Sequence, residues 1–350
     1  MPHSEGNDAG IPVIDISSPS PEVAQQVLHA ASTFGFLFIK NDGITIPPTD
    51  IDDMFELSRK FFKLPSESKA EYSINSSKSG GKNRGWVSMW AESLDPENQK
   101  QGDPKEAFNI AEPTPTLQPF PPPLSASSEL ISRFQTACHT LCNRILTLLA
   151  TALSIPESYG GSRWFAERHD QSKGPSGTIF RLLYYPSTTI PKGGDDVRAG
   201  AHSDYGSITL LFRLPGQAGL EILKDDGSWA PVPVNPSPTT LTHPPILVNI
   251  GDIFSFWTNG MLKSTVHRVT FGAGDGGMSE ERYSIAYFCH PLDSAQLEPI
   301  PSKAIHEFKN EELERQTKKL GFESKDEGGE MLTAKQHLDR RLKVTYGLKD

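Results

Sequence analysis

The sequence predicts a mainly β fold of the jelly-roll kind with helices packed around it, on two observations. After Gly177 the chain breaks into short β-rich runs divided by Gly, Pro, Asn and Asp: TIFRLLYYP, AHSDYGSITLLF, GLEILK, ILVNIGDIFSFWTNG, KSTVHRVTF and RYSIAYFCHP. Several short strands at close spacing are the pattern of a sandwich or barrel. Before Gly177, apolar residues in several segments instead recur at three and four, the spacing of an amphipathic helix.

Taken in order, IPVIDIS (Ile11 to Ser17) is a β-branched run closed by Ser and Pro, and reads as a strand. PEVAQQVLHAASTFG has helical spacing and stops at Gly35, a residue suited to ending a helix. Gly35 to Ile44 returns to strand, and Ile51 to Leu64 is a Phe-rich amphipathic helix ended by Pro65. Glu112 to Ser125 is proline-dense enough to be an extended connector. Ser127 to Leu153 follows as a long helix, with Leu130, Ile131, Phe134, Leu141, Ile145, Leu148 and Leu149 on its apolar stripe. The tail from Ala304 to Leu348 is charged and helical in pattern, broken near Gly328 and Gly329. Four regions are expected: an N-terminal helix and strand region (1–125), helical support (126–176), the β core (177–300) and C-terminal helices (301–350).

Composition narrows the function. The 350 residues, 36% of them hydrophobic, are enough for a large core. A net charge of −9, with both signs mixed along the chain, offers no basic surface for a nucleic acid. The N-terminus, MPHSEGNDAG, lacks a basic and an apolar leader region, and no window nears the roughly 20 apolar residues of a membrane span. A cytoplasmic protein with no membrane contact and no obligate protein partner is expected. Cys138, Cys142 and Cys289 are an odd number, which suits a reducing compartment. Cys138 and Cys142 are read as buried helix residues, because no further cysteine completes a zinc set.

The chemistry concentrates in AHSDYGSITLLF (Ala201 to Phe212). On a strand, His202 and Asp204 share one face and can converge on one ion. His267, in STVHRV, is the best candidate for a third ligand, with enough chain between to bring several strands back. Two histidines and a carboxylate on one side of a metal form the facial arrangement of non-haem Fe(II) oxygenases. His-x-Asp alone is a weak signal; Arg282 and Ser284 in ERYSIAYF strengthen it. They share a strand face, and a guanidinium fork beside a hydroxyl matches a carboxylate. An Arg in so apolar a strand is costly without an anion. Asn249 and Asp252 in VNIGD read as turn and strand-end chemistry, and Trp257 as core.

In this order, FRLLYYP, AHSDYGSITLLF, GLEI, VNIGD, WTNG, KSTVHRV and RYSIAYF resemble the isopenicillin-N-synthase-like family of 2-oxoglutarate- and iron-dependent oxygenases, over nearly the whole chain. The resemblance implies a double-stranded β-helix (jelly roll) packed by helices. It implies Fe(II) held by His202, Asp204 and His267, with 2-oxoglutarate and O₂ as cosubstrates and ascorbate as a stimulant. Arg282 with Ser284 would hold the distal carboxylate of 2-oxoglutarate, near Tyr185. Relatives often carry Asn two positions before that tyrosine; here it is Leu183, which puts one polar contact in doubt. The implied reaction hydroxylates or desaturates a small organic substrate, in a setting expected to be fungal secondary metabolism, releasing succinate and CO₂. The alternatives are an iron oxidase that dispenses with 2-oxoglutarate, a pyrimidine hydroxylase of the thymine type, a non-catalytic binding protein and a zinc hydrolase. For the substrate pocket the candidates are Arg84, Trp86 and Trp90 in RGWVSMWA, Phe108 in KEAFNIAE, and Phe212.

Overall fold

The computed structural model describes residues 9–74, 76–95, 99, 101–113, 117–187, 197–271, 279–309 and 331–346. Among these residues twelve strands form two sheets. The first four are β1 (Val13–Ile14), β2 (Phe36–Ile39), β3 (Gly85–Val87) and β4 (Glu106–Ala111). Then come β5 (Ile179–Tyr185), β6 (Val197–His202), β7 (Ile208–Arg213) and β8 (Leu220–Leu223). The last are β9 (Trp229–Pro231), β10 (Ile246–Ile250), β11 (His267–Thr270) and β12 (Arg282–Cys289). The larger sheet runs β1-β2-β10-β7-β12-β5-β4-β3 and the smaller β6-β11-β8-β9. All pairings are antiparallel except β1 with β2. The larger sheet therefore takes strands from both the 1–125 and the 177–300 regions.

Helices α1 (Pro21–Thr33), α2 (Pro48–Phe62) and α3 (Ser128–Ala152) lie close to their expected bounds. The Ser20 hydroxyl caps α1 by accepting from Val23 N–H. Gly35 follows it at φ +68, where any Cβ would come within 2.4 Å of the Lys263 carbonyl oxygen. Only glycine permits both that conformation and that approach. The strand expected over Ile11 to Ser17 shortens to two residues, and the connector before α3 includes a short helical turn, Pro122–Ser125. In the tail, α5 spans Ala334–Tyr346, after α4 (Asp252–Trp257); the expected break near Gly328 and Gly329 lies outside the described residues. Among the described residues no helix is long and apolar enough to cross a membrane.

The pleat of the larger sheet divides two environments. On β5, Phe180 and Leu182 point to the helical layer, where Phe134 of α3 packs 5.5 Å from Phe180 between ring centroids. Ile179, Arg181, Leu183 and Tyr185 alternate with them and line a cavity facing the smaller sheet. Cys138, Cys142 and Cys289 are buried and unbridged, as expected of core residues. Trp257 is fully buried, its indole N–H donating to the Glu298 carbonyl at 2.8 Å.

Several buried histidines make this fold acid-sensitive. Burial pushes His169 and His337 down to about 3 and His290 to about 4. His169 is held neutral between the Phe165 carbonyl at 2.8 Å and the Ser207 hydroxyl at 2.9 Å. Unfolded, each would titrate near its ordinary value of 6.5. Between these limits the unfolded chain binds more protons, so acid favours unfolding. Urea unfolding of the metal-free protein is expected to show stability falling below about pH 6.5, by roughly 2 kcal/mol for each such histidine at pH 5. Equal stability at pH 7.5 and pH 5 would contradict this account.

Candidate metal centre

His202 ends β6 and His267 opens β11, and the two are register partners across that pair, their ring centroids 4.4 Å apart. Asp204 is not on the strand. Its spacing predicts one pleat face with His202, but β6 stops at His202 and the following loop turns the carboxylate inward. Asp204 Oδ1 ends 3.9 Å from His202 Nε2 and 3.8 Å from His267 Nε2. One ligand atom from each of the three residues lies within 4.8 Å of the others.

Hydrogen bonds aim these atoms. His202 Nδ1–H donates to the Gly200 carbonyl at 2.7 Å and His267 Nδ1–H to that of Thr265 at 3.1 Å, leaving each Nε2 a lone pair for a metal. Asp204 Oδ2 accepts from Thr209 Oγ1 at 2.6 Å and Asn249 Nδ2 at 2.7 Å, which leaves Oδ1 for the ion. Burial, with the neighbouring His267, pushes His202 down to about 4, so the imidazole is neutral at pH 7. Burial alone would raise Asp204, but His267, His202 and the Asn249 and Thr209 hydrogen bonds hold it below its ordinary value. Two imidazoles and one carboxylate, open on the cavity side, fit a divalent transition metal.

The VNIGD segment supports this loop. Asp252 N–H donates to the Asp204 carbonyl at 2.7 Å, and a Cβ at Gly251 would lie 2.2 Å from the Gly206 carbonyl oxygen. Asn249 is not turn chemistry as expected; it lies within β10 and binds the ligand carboxylate. Asp252 is structural, accepting from Ser264 and pairing with Arg341 at 2.7 Å.

The cavity, of about 150 Å³, contains the three ligands and the inner face of the larger sheet. Arg282 and Ser284 share that face on β12, as their spacing predicts, with Arg282 Nη1 3.4 Å from Ser284 Oγ. Tyr185 is their neighbour across β5, its ring 5.2 Å from the guanidinium. Arg282 is buried, its Nε–H donating to the Ala218 carbonyl at 3.3 Å, and among the described residues no carboxylate pairs with it. Arg198, also buried, adds positive potential beside it. A buried guanidinium without a counter-charge fits a ligand carboxylate.

The substrate-pocket expectations are corrected: none of Arg84, Trp86, Trp90, Phe108 and Phe212 lines the cavity. Trp86, Phe108 and Phe212 belong to the helix-facing core, and Trp86 donates its indole N–H to Glu106 at 2.7 Å. Phe108 lies opposite Leu182, and Phe212 opposite Ile285, both on the outer pleat. Arg84 donates to the Gly80 carbonyl and Trp90 is 46% exposed. The cavity wall comes instead from Glu92, Lys105, Asn109, Arg181, and Leu338 and Leu342 of α5, which sequence reading missed. Arg181 was within reach, since it sits four residues from Tyr185 and so shares its pleat face.

Comparison with known proteins accords with this geometry. The profile described as non-haem dioxygenase in morphine synthesis N-terminal matches residues 11–139, and that of the 2OG-Fe(II) oxygenase superfamily matches residues 176–291. UPF0676 protein C1494.01 of Schizosaccharomyces pombe is 35% identical, over 96% of this chain and 93% of its own. The proline hydroxylase buaE of Petromyces alliaceus is 31% identical over 76% and 81%. A full-length Neurospora crassa protein crystallised with alpha-KG matches with a TM-score of 0.73 and 29% identity, covering 96% of each chain. The same protein has been solved with alpha-KG and thymine.

Metal analysis provides a test of the ligand set. Asp204→Ala is expected to copurify with background iron only, and Asn249→Ala to bind Fe(II) about 10–100-fold more weakly. Wild-type iron content in Asp204→Ala would remove the carboxylate from the set.

Proposed function

The chain belongs to the 2OG-Fe(II) oxygenase superfamily and is a 2-oxoglutarate-dependent dioxygenase, and we propose that His202, Asp204 and His267 hold its iron while Arg282, Ser284 and Tyr185 hold the cosubstrate. The observation that carries the second half is Arg282, a buried guanidinium with no carboxylate partner among the described residues, on the sheet face that shares a cavity with the triad. Iron with 2-oxoglutarate supplies the oxidation: O₂ and the keto acid are consumed, succinate and CO₂ leave, and a substrate C–H bond is oxidised.

The chain's own residues bind and aim. The imidazoles present Nε2 because their Nδ1–H groups are engaged. Asn249 and Thr209 occupy Asp204 Oδ2, so the carboxylate offers one oxygen and leaves room on the cavity side. Ser284 and the Tyr185 ring steady the Arg282 fork for a carboxylate. Leu183 puts an apolar side chain on the same face. Leu338 and Leu342 of α5 add apolar surface to the cavity wall. No side-chain acid or base is required.

The substrate is a small molecule with an oxidisable C–H bond, hydroxylated or desaturated, in a setting we take to be fungal secondary metabolism. Relatives that bind thymine or are named for proline hydroxylation support a compact ring substrate.

Fe(II)-dependent conversion of 2-oxoglutarate to succinate by the purified protein tests the reading. Arg282→Ala is expected to weaken 2-oxoglutarate binding about 10–100-fold in calorimetry, as charged hydrogen bonds are lost. An unchanged affinity would place the cosubstrate elsewhere.

A further inference from the structure

We infer that the cavity has a second recognition site, read by Asn109, for an uncharged ring carrying an amide or imide N–H. This deepens the functional reading above and rests on it. Asn109 on β4 is the register partner of Arg181 on β5, so both project onto the inner face. Arg181 lies four residues from Tyr185 along the strand, roughly 13 Å at about 3.3 Å per residue. The cosubstrate anchor and this site are thus at separate places along one sheet face.

Asn109 is 3% exposed, and its side-chain N–H donates to Asn83 Oδ1 at 3.0 Å. Asn109 lines the cavity, and its buried Oδ1 finds no hydrogen-bond partner among the described residues. Leaving such an oxygen unmade costs about 1–3 kcal/mol, and an N–H donor on a ligand would relieve it. The surroundings hold Asn109 in place. Gln118 clamps β4 by donating to the Asn109 carbonyl at 3.0 Å and accepting from Ala111 N–H at 2.9 Å. Asn83 adopts φ 57, a left-handed conformation that asparagine tolerates better than most residues.

Charge excludes the obvious alternatives to a neutral ligand. Glu92 is bridged by Arg181 at 2.9 Å and Lys105 at 3.0 Å, and Lys105 also meets Asp103 at 2.6 Å. Among the described residues these pairs set two cations against two anions at and behind the wall. Burial pushes Glu92 up, but Arg181 and Lys105 pull it well below the carboxylate range, so it is ionised. A ligand carboxylate or ammonium here would be desolvated with no net opposite charge. The anchor at Arg282 has the reverse character, a buried cation awaiting an anion. Ile179, Phe288, Leu338 and Leu342 add apolar surface to the wall that suits the faces of a single ring.

Anaerobic calorimetry on the full chain loaded with Fe(II) and 2-oxoglutarate distinguishes the possibilities, with thymine and uracil as imide probes and L-proline as a zwitterion. At least one imide is expected to bind and L-proline at the same concentration not to. Asn109→Ala is expected to lower imide affinity about tenfold, the loss of one hydrogen bond. Asn83→Gly keeps the positive φ but removes the acceptor that orients Asn109, and is expected to give a smaller loss. Both variants should bind 2-oxoglutarate like the wild type, which also reports folding. No heat from either imide, preferred binding of L-proline, or imide binding unchanged in both variants would overturn the proposal. Failure of the wild type to bind 2-oxoglutarate would instead bring down the reading of the anchor on which it rests.

Discussion

The structure depends above all on the clamp around one buried carboxylate. Asp204 lies in a loop, where a free side chain would have many rotamers, yet its Oδ2 is tied to Thr209 and Asn249 and its backbone carbonyl to Asp252 N–H. The three contacts come from β7, β10 and the start of α4. Closing the larger sheet and aiming the ligand are therefore one event in the fold. The imidazoles need less, because β6 and β11 already pair them in register. The desolvation of a carboxylate so held is offset when a metal stands opposite it, and burial keeps the neighbouring His202 imidazole neutral and free to share that metal.

Much of this was legible in the sequence, for a physical reason. Arg282 and Ser284 share the face that their spacing predicts because they are two apart on a real strand, and period two is a property of any pleat. His202 and Asp204 were brought together for the wrong reason: the strand ends between them, and only tertiary bonds invisible in the sequence turn the loop. The helices were found within a few residues because their apolar stripes are long.

The substrate wall failed because aromatic residues were preferred to parity. Phe108 and Phe212 are large and apolar, and so they went to the helix-facing core, where burial rewards them most. Their strand neighbours Asn109 and Leu211 face the cavity. Which parity faces inward cannot be read from a strand alone. It follows once one inward residue is known, and Tyr185 would have supplied that for Arg181. Glu92, Lys105 and the α5 leucines come from segments whose place is set by contacts far apart in sequence.

The ion pair between Arg341 and Asp252 joins two parts of the chain with different duties. Asp252 braces the metal loop through its N–H, while Arg341 sits on the helix whose Leu338 and Leu342 line the cavity. The guanidinium also lies 5.3 Å from the Tyr205 ring, one residue beyond the ligand. Helix α5 is thus tied by Arg341 to the loop that carries the ligand. An engineer who appends a domain after it, or trims it to widen access for bulkier molecules, would be adjusting the grip on the ion as well as the doorway.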